Sequence, residues 1–273
     1  MNCFKHADQT LYYLTAGDPQ NPPLVLLHGF LGSHQDFLPL LPVFARQFYC
    51  ILPDLPGHGQ TSTVPSRCTF SAVADCLIAL LTTCDVDQTH LLGYSMGGRL
   101  ALYLTCRFSS RVRRVVLESA SPGLGTAEER RKRRFWDDAI ALRLEQIQTP
   151  AEMTAFLTQW YSNPLFASLH DHPQTYAAML KRRQNNRPAM LAKALRGLST
   201  GRQPSLWNRL STVENSLLLI AGARDAKFLK INREMVSAME RKKTAVLSVV
   251  KGCGHNVHLE APSAYAAKVV RFL

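Results

Sequence analysis

Residues 91–99 have the sequence Leu-Leu-Gly-Tyr-Ser-Met-Gly-Gly-Arg, in which a short apolar stretch runs into a G-x-S-x-G pattern. The spacing predicts a sharp turn between a strand and a helix, with Ser95 in strained backbone that only small neighbours permit. Such a turn lifts the serine hydroxyl clear of the sheet and places it at a helix N-terminus, where free N–H groups favour negative charge. The stretch therefore predicts a nucleophile elbow, with a Gly-rich turn of no chemical role as the alternative.

A serine nucleophile needs a base and a group that orients the base. The apolar run 216–221 predicts a buried parallel strand, and Asp225 follows its carboxyl end. A second predicted strand, 244–250, is followed by His255 between glycine-rich loop residues. Because the chain order Ser, Asp, His fits this architecture, we predict that Ser95, Asp225 and His255 form a triad. For His255 the alternative is an ordinary surface loop.

An oxyanion hole is predicted upstream of the serine. A short buried strand at 24–27 is followed by His28-Gly29-Phe30. The backbone N–H groups of Phe30 and Met96 are expected to converge on a developing oxyanion. We interpret His28 as a residue that braces the loop, because it precedes the turn and His255 fits the order of a triad better.

These motifs together resemble those of the α/β-hydrolase family, and the resemblance covers almost the whole chain. The resemblance implies an α/β fold, a mostly parallel, doubly wound sheet with the site at its carboxyl edge and a helical lid. We expect a core from 1–120 and 211–273, with the lid over 121–210. The chain's 273 residues, 46% of them hydrophobic, suffice for one core plus such an insertion.

The charge balance narrows the choice of ligand. Thirty-two Lys plus Arg against twenty Asp plus Glu give a net charge of +12. The basic run 130–134 lies between acidic pairs, as on a solvated helix, and no nucleic-acid module surrounds it. A basic surface without a role and a positive funnel for an anionic substrate are the other two explanations.

Arg99 favours the funnel. It lies one helical turn after Ser95 on the same face, in the middle of the fold, where a charge is costly unless it is paired. A guanidinium there suits a bidentate carboxylate of the substrate. A buried structural salt bridge is the alternative interpretation.

Four segments, 93–99 at the elbow, 118–124 after the next strand, and 160–169 and 182–186 in the lid, resemble those of a subfamily of menaquinone-pathway lyases. The resemblance implies a substrate with three carboxylates, elimination of pyruvate, and the triad acting as base, without cofactor or metal. It also implies substrate contacts from seven residues: Tyr94, Arg99, Arg133, Trp160, Tyr161, Phe166 and Arg182. Arg134 or Arg183 could substitute for its neighbour, and Ser121 stands where some relatives have a histidine, so the role of that position stays open.

Two other functions remain open at this point. A carboxylesterase or carbon–carbon bond hydrolase for a small anionic substrate would use the same triad, and a binding protein would not need it. The chain has no apolar run long enough to span a bilayer and no signal-peptide pattern, and its seven scattered cysteines are typical of reduced thiols. We therefore expect a cytoplasmic protein with a small polyanionic ligand and neither nucleic acid nor membrane as partner; a monomer is compatible with the sequence, which leaves the oligomeric state open.

Overall fold

The computed structural model describes residues 1–61, 63–64, 66 and 68–273, and within these ranges it has one eight-stranded sheet. The strands are β1 (Asn2–His6), β2 (Gln9–Ala16), β3 (Pro23–Leu27), β4 (Tyr49–Pro53), β5 (Thr89–Tyr94), β6 (Val112–Glu118), β7 (Ser216–Gly222) and β8 (Ala245–Val250). Their order is β1-β2-β4-β3-β5-β6-β7-β8. β2 is antiparallel to β1 and β4, and the six strands β3 to β8 are parallel to one another. The predicted α/β class and mostly parallel sheet are confirmed.

Helices cover both faces of the sheet. They are α1 (Leu41–Phe44), α2 (Phe70–Thr83), α3 (Met96–Arg107), α4 (Ala127–Glu145), α5 (Pro150–Tyr161), α6 (Pro173–Arg183), α7 (Pro188–Gly197), α8 (Ala226–Ala238), α9 (Val257–Glu260) and α10 (Pro262–Phe272). One apolar cluster joins α2, α3 and α8 to the sheet, and a second joins α1, α9 and α10 to the opposite face. The central strands are buried on both sides, which explains why every residue of β5 is buried and why β7 has the apolar run 217–221 without alternation.

The segment between β6 and β7 contains α4, α5, α6 and α7 and has an apolar cluster of its own. Its helix starts are set by local sequence, because Thr126 and Glu129 form a capping box at α4 and Thr149 and Glu152 form another at α5. Proline occupies the first turn of α5, α6 and α7, where its missing N–H costs nothing. In the described part of the chain, no helix is both long and apolar enough to cross a membrane.

Candidate active site

The turn between β5 and α3 holds Ser95 in an unusual conformation, with φ 50° and ψ −107°. The glycines of the motif permit the turn through close approach of backbone to backbone. A side chain on Gly97 would overlap the carbonyl of Leu27, and one on Gly93 would overlap the carbonyl of Gly97. The Ser95 N–H donates to the Glu118 carbonyl at 2.9 Å, which ties the turn to β6. The sequence Gly-x-Ser-x-Gly is thus required by this geometry as well as by chemistry.

The three residues predicted as a triad lie together. His255 Nε2 is 3.3 Å from Ser95 Oγ, and His255 Nδ1 is 2.7 Å from Asp225 Oδ2. Because a carboxylate only accepts, Nδ1 carries the proton and Nε2 is left to accept from the serine hydroxyl. Asp225 also accepts from the Phe228 N–H at 3.1 Å as the N-cap of α8, which fixes its orientation. Asp225 and His255 are both buried, so water competes little for these contacts.

Phe30 and Met96, the predicted oxyanion donors, line the same cavity as Ser95. Met96 is the first residue of α3, where a backbone N–H has no acceptor within the helix. The loop before Phe30 is held by His28, whose Nδ1 donates to the Gly29 carbonyl at 2.8 Å and whose Nε2 accepts from the Leu55 N–H at 2.9 Å. Full burial lowers the pKa of His28, which keeps the ring neutral and able to accept. The geometry agrees with the interpretation of His28 as a loop brace.

The triad opens onto a cavity of about 760 Å³ between the sheet edge and the helices α4, α5, α7 and α8. Its apolar wall is formed by aromatic side chains, and Trp160 packs against Phe30 with ring centroids 5.3 Å apart. Phe166 presents its edge to His255 at 5.6 Å, and Phe228 lies 4.8 Å from the same ring. Among the described residues, no cluster of three or more His, Cys, Asp or Glu side chains could hold a metal ion.

Arg99 faces this cavity without a carboxylate. Its guanidinium donates to Gln203 Oε1 at 3.1 Å and to the Leu198 carbonyl at 3.0 Å. In the described chain no Asp or Glu oxygen lies within 4.0 Å of it, so the alternative of a structural salt bridge does not fit. Desolvation, followed by the charge of Arg133, lowers the pKa of Arg99 to about 9. A cation in this state is stabilised by any anion that enters the cavity.

Two further cations line the cavity. Arg133 donates from Nε to Asp137 at 2.8 Å, which leaves its terminal nitrogens available. Lys227, in the first turn of α8, was not among the predicted site residues. Desolvation and the charge of Arg133 lower the pKa of its amine. The sequence did carry a signal, because a lysine two residues after the triad acid sits at the positive end of a helix dipole, where a cation is unfavourable unless it has another role.

Three of the seven predicted substrate contacts do not line this cavity, namely Tyr94, Tyr161 and Arg182. Tyr94 is buried behind the triad, 5.4 Å from the ring of His255. The other two lie around Asp36, which belongs to a different polar cluster. The interpretation of these three as direct contacts therefore does not fit this cavity.

The cluster around Asp36 is structural. Arg183 forms a bidentate ion pair with Asp36, at 2.7 and 2.8 Å, and donates from Nε to the hydroxyl of Tyr161 at 3.2 Å. Arg182 is more distant, 3.7 Å from Asp36. Burial alone would raise the pKa of Asp36, but the Arg183 guanidinium outweighs it and holds that pKa below its ordinary value. The pair anchors α6 to the core beneath it.

The fold and the triad geometry together define a class of protein. The sequence profile of the alpha/beta hydrolase fold family matches residues 22–262, and the chain belongs to this family. The resemblance expected from the motifs is confirmed.

Within this family, the chain is similar in sequence or structure to several individual proteins. The chain is 35% identical to a 2-succinyl-6-hydroxy-2,4-cyclohexadiene-1-carboxylate synthase from Pectobacterium atrosepticum, over 93% of this chain and 95% of that protein. It is also similar to the solved structure of MenH from S. aureus, with a TM-score of 0.88 and 30% identity over 96% of this chain and 97% of that chain. A third relative, Protein PHYLLO, chloroplastic, from Arabidopsis thaliana, is 32% identical, and the match spans 15% of its length.

Proposed function

We propose that this protein is a carbon–oxygen lyase of menaquinone biosynthesis. It would eliminate pyruvate from 2-succinyl-5-enolpyruvyl-6-hydroxy-3-cyclohexene-1-carboxylate to give 2-succinyl-6-hydroxy-2,4-cyclohexadiene-1-carboxylate. Similarity to proteins of that name over nearly the full length of both chains supports the assignment. The main structural support is the position of Arg99. Its guanidinium faces the triad cavity and forms no ion pair with a carboxylate of the described chain.

The substrate's charge fits this cavity. Three carboxylates need cations, and the cavity offers Arg99 and Lys227, which have no ion-pair partner among the described residues, together with Arg133, which has one. Arg133 has one partner in Asp137, which in turn accepts from Ser199 at 2.6 Å. Guanidinium groups fixed in this way hold carboxylates in one orientation, which lowers the entropic part of the barrier.

Proton abstraction is the first chemical step. The hydrogen next to the succinyl ketone is acidic, and Ser95 removes it while His255 Nε2 takes the serine proton. The electron pair of the broken C–H bond forms a ring double bond as the existing one shifts by one carbon. The bond from the ring to the enolpyruvyl oxygen breaks, and the leaving group departs as the enolate of pyruvate, which recovers the proton from His255. Atoms and charge balance without a cofactor.

The developing negative charge on the ketone oxygen needs stabilisation. The N–H groups of Phe30 and Met96 are the proposed donors, because both residues line the cavity beside Ser95. Loss of one such donor typically raises a barrier by about 3 kcal/mol. Asp225 stabilises the imidazolium that forms when His255 holds the proton.

The test is pyruvate release from the enolpyruvyl substrate by purified protein. We expect release with the natural chain, a loss of about 10²- to 10⁴-fold in Ser95→Ala, and no loss in Ser110→Ala, a substitution of an exposed serine outside the site. Brisk hydrolysis of a small anionic ester, with no pyruvate formed, would overturn the lyase proposal. The triad would then serve a carboxylesterase or a carbon–carbon bond hydrolase.

A further inference from the structure

A second cavity, of about 620 Å³, lies beside the active-site cavity. The turn 199–203 separates the two. Ser199 and Thr200 line the active-site cavity, whereas Gly201, Arg202 and Gln203 line the second one. The proposed reaction makes no use of this second cavity.

The second cavity is strongly basic. Arg130, Arg134 and Arg202 line it, and no carboxylate of the described residues does. Within the described chain, none of these three guanidinium groups has an Asp or Glu oxygen within 4.0 Å. By contrast, Arg133 and Arg196 are both paired. Like charges repel one another, so an anion bound among the three arginines would relieve an unfavourable arrangement.

Two of these arginines are held in place by the backbone. Arg130 and Arg134 lie one turn apart on α4, so their side chains share a face. Arg130 Nη1 donates to the Leu124 carbonyl at 3.1 Å, and Arg134 Nη1 donates to the Gly201 carbonyl at 2.9 Å. Each guanidinium has five N–H donors, so these bonds fix its position and leave further donors for a ligand. Arg202 is exposed and completes the set.

The start of α2 adds to the positive potential. Thr69, Phe70 and Ser71 line the cavity, and Thr69 caps the helix by accepting from the Ala72 N–H at 3.1 Å. The N-terminal end of a helix of 14 residues carries partial positive charge and favours an anion nearby. The helix end and the arginines therefore act in the same direction.

We propose that this second cavity is a binding site for a small anion that carries carboxylate or phosphate groups. Guanidinium groups recognise both chemistries through paired N–H donors. A bound anion would lie behind Gln203, the residue whose side chain accepts from Arg99. The inference rests on the charges of the cavity and does not depend on which reaction the triad catalyses.

Isothermal titration calorimetry at low salt tests the site, with pyrophosphate and phthalate as the two probes. Arg130→Gln and Arg202→Gln should each weaken binding about tenfold, because each removes one charge-assisted contact. Arg131→Gln is the matched control, since Arg131 is an exposed neighbour on α4 that lines neither cavity. Arg133→Gln is the control for binding in the active-site cavity. Stronger binding of one probe than of the other identifies the phosphate or carboxylate as the preferred group.

The four variants distinguish binding in the second cavity from binding elsewhere on the protein. Weaker binding in Arg130→Gln and Arg202→Gln, with Arg131→Gln and Arg133→Gln within about twofold of the natural chain, supports the site. Equal weakening in all four variants would show attraction to the basic surface as a whole and overturn it. Weakening in Arg133→Gln alone would place the anion with the triad, which also overturns it. Thermal melts of each variant show whether folding is retained.

Discussion

Replacement of Arg99 by methionine tests whether this residue binds the substrate or only stabilises the fold. Arg99→Met keeps an unbranched chain of similar reach but removes the guanidinium from the triad cavity. In the free protein this leaves two neutral acceptors, Gln203 Oε1 and the Leu198 carbonyl, without their donor. No carboxylate of the described chain loses a partner.

We therefore expect Arg99→Met to have a small effect on the free energy of unfolding and a larger effect on kcat/KM. Hydrogen bonds from a charged donor contribute about 1.5–3 kcal/mol each, but removal of the guanidinium also removes the cost of its desolvation, so the free energy of unfolding should fall by only about 1–2 kcal/mol. Loss of one partner of a desolvated charge pair costs a bound ligand about 2–4 kcal/mol, which is a decrease of about 30- to 700-fold in kcat/KM. Arg99→Lys should recover part of this loss because a point charge remains.

Arg183→Met is the matched control. It removes the same side chain from a bidentate pair with Asp36, which is 1% exposed and would be left as a buried carboxylate with only the more distant Arg182, 3.7 Å away, as a partner. The unfolding free energy should fall by about 3–5 kcal/mol in that variant. Urea titrations measure stability, and initial rates with the enolpyruvyl substrate and with an uncharged aryl ester measure activity. An equal loss of stability in Arg99→Met and Arg183→Met, or an equal loss of activity toward the two substrates, would show that Arg99 is a structural cation and not a substrate anchor.

Three further changes test the site and its support. Asp225→Asn removes the acceptor that fixes the triad tautomer and should lower kcat by roughly 10⁴-fold with the fold intact, as judged by circular dichroism. Gly97→Ala places a methyl group against the Leu27 carbonyl and should cost about 3 kcal/mol or more in urea titrations, whereas Gly125→Ala, with no close neighbour, should change stability by less than about 1 kcal/mol. Burial lowers the pKa of His90 from 6.5 to about 4, so the unfolded chain takes up its proton first and the free energy of unfolding falls as the pH drops from about 6.5 to about 4. His90→Gln should remove about 2 kcal/mol of the stability lost between pH 7 and pH 5, and an unchanged loss would contradict this.

Local sequence specified the elbow and the strands because each depends on a requirement that few residues meet. Ser95 has a positive φ, and the turn around it brings backbone segments into contact. A side chain at position 93 or 97 would overlap backbone atoms, so only glycine fits there. The central strands are buried on both faces, so their apolar runs could be recognised without a partner strand. Asp225 and His255 could then be predicted from chain order and from their places after two predicted strands.

The substrate contacts were harder to predict because helix periodicity does not tell which neighbour a polar side chain will meet. Arg182 and Arg183 are adjacent in sequence, and the basic run gave no means of choosing between them. In the structure Arg183 is 2% exposed and fully committed to Asp36. The partner lies 147 positions away in the chain, at a loop whose position is fixed only by the folded sheet. Lys227 was missed for a related reason, since its place in the cavity depends on the folded positions of α8 and α4, which both line it.

Arg99 and Arg183 show why the partner of a charge matters more than its burial. Both are arginines that burial would penalise, and both occupy the interior between the core and the helices of the inserted segment. Arg183 meets a carboxylate of the chain itself, so its charge is neutralised in the free protein and stabilises the fold. Arg99 donates hydrogen bonds only to neutral acceptors, so its charge has no ion-pair partner in the free protein and can pair with a bound anion. An arginine that remains unneutralised in the free protein can favour a bound carboxylate, and this difference places Arg99 with the ligand and Arg183 with the scaffold.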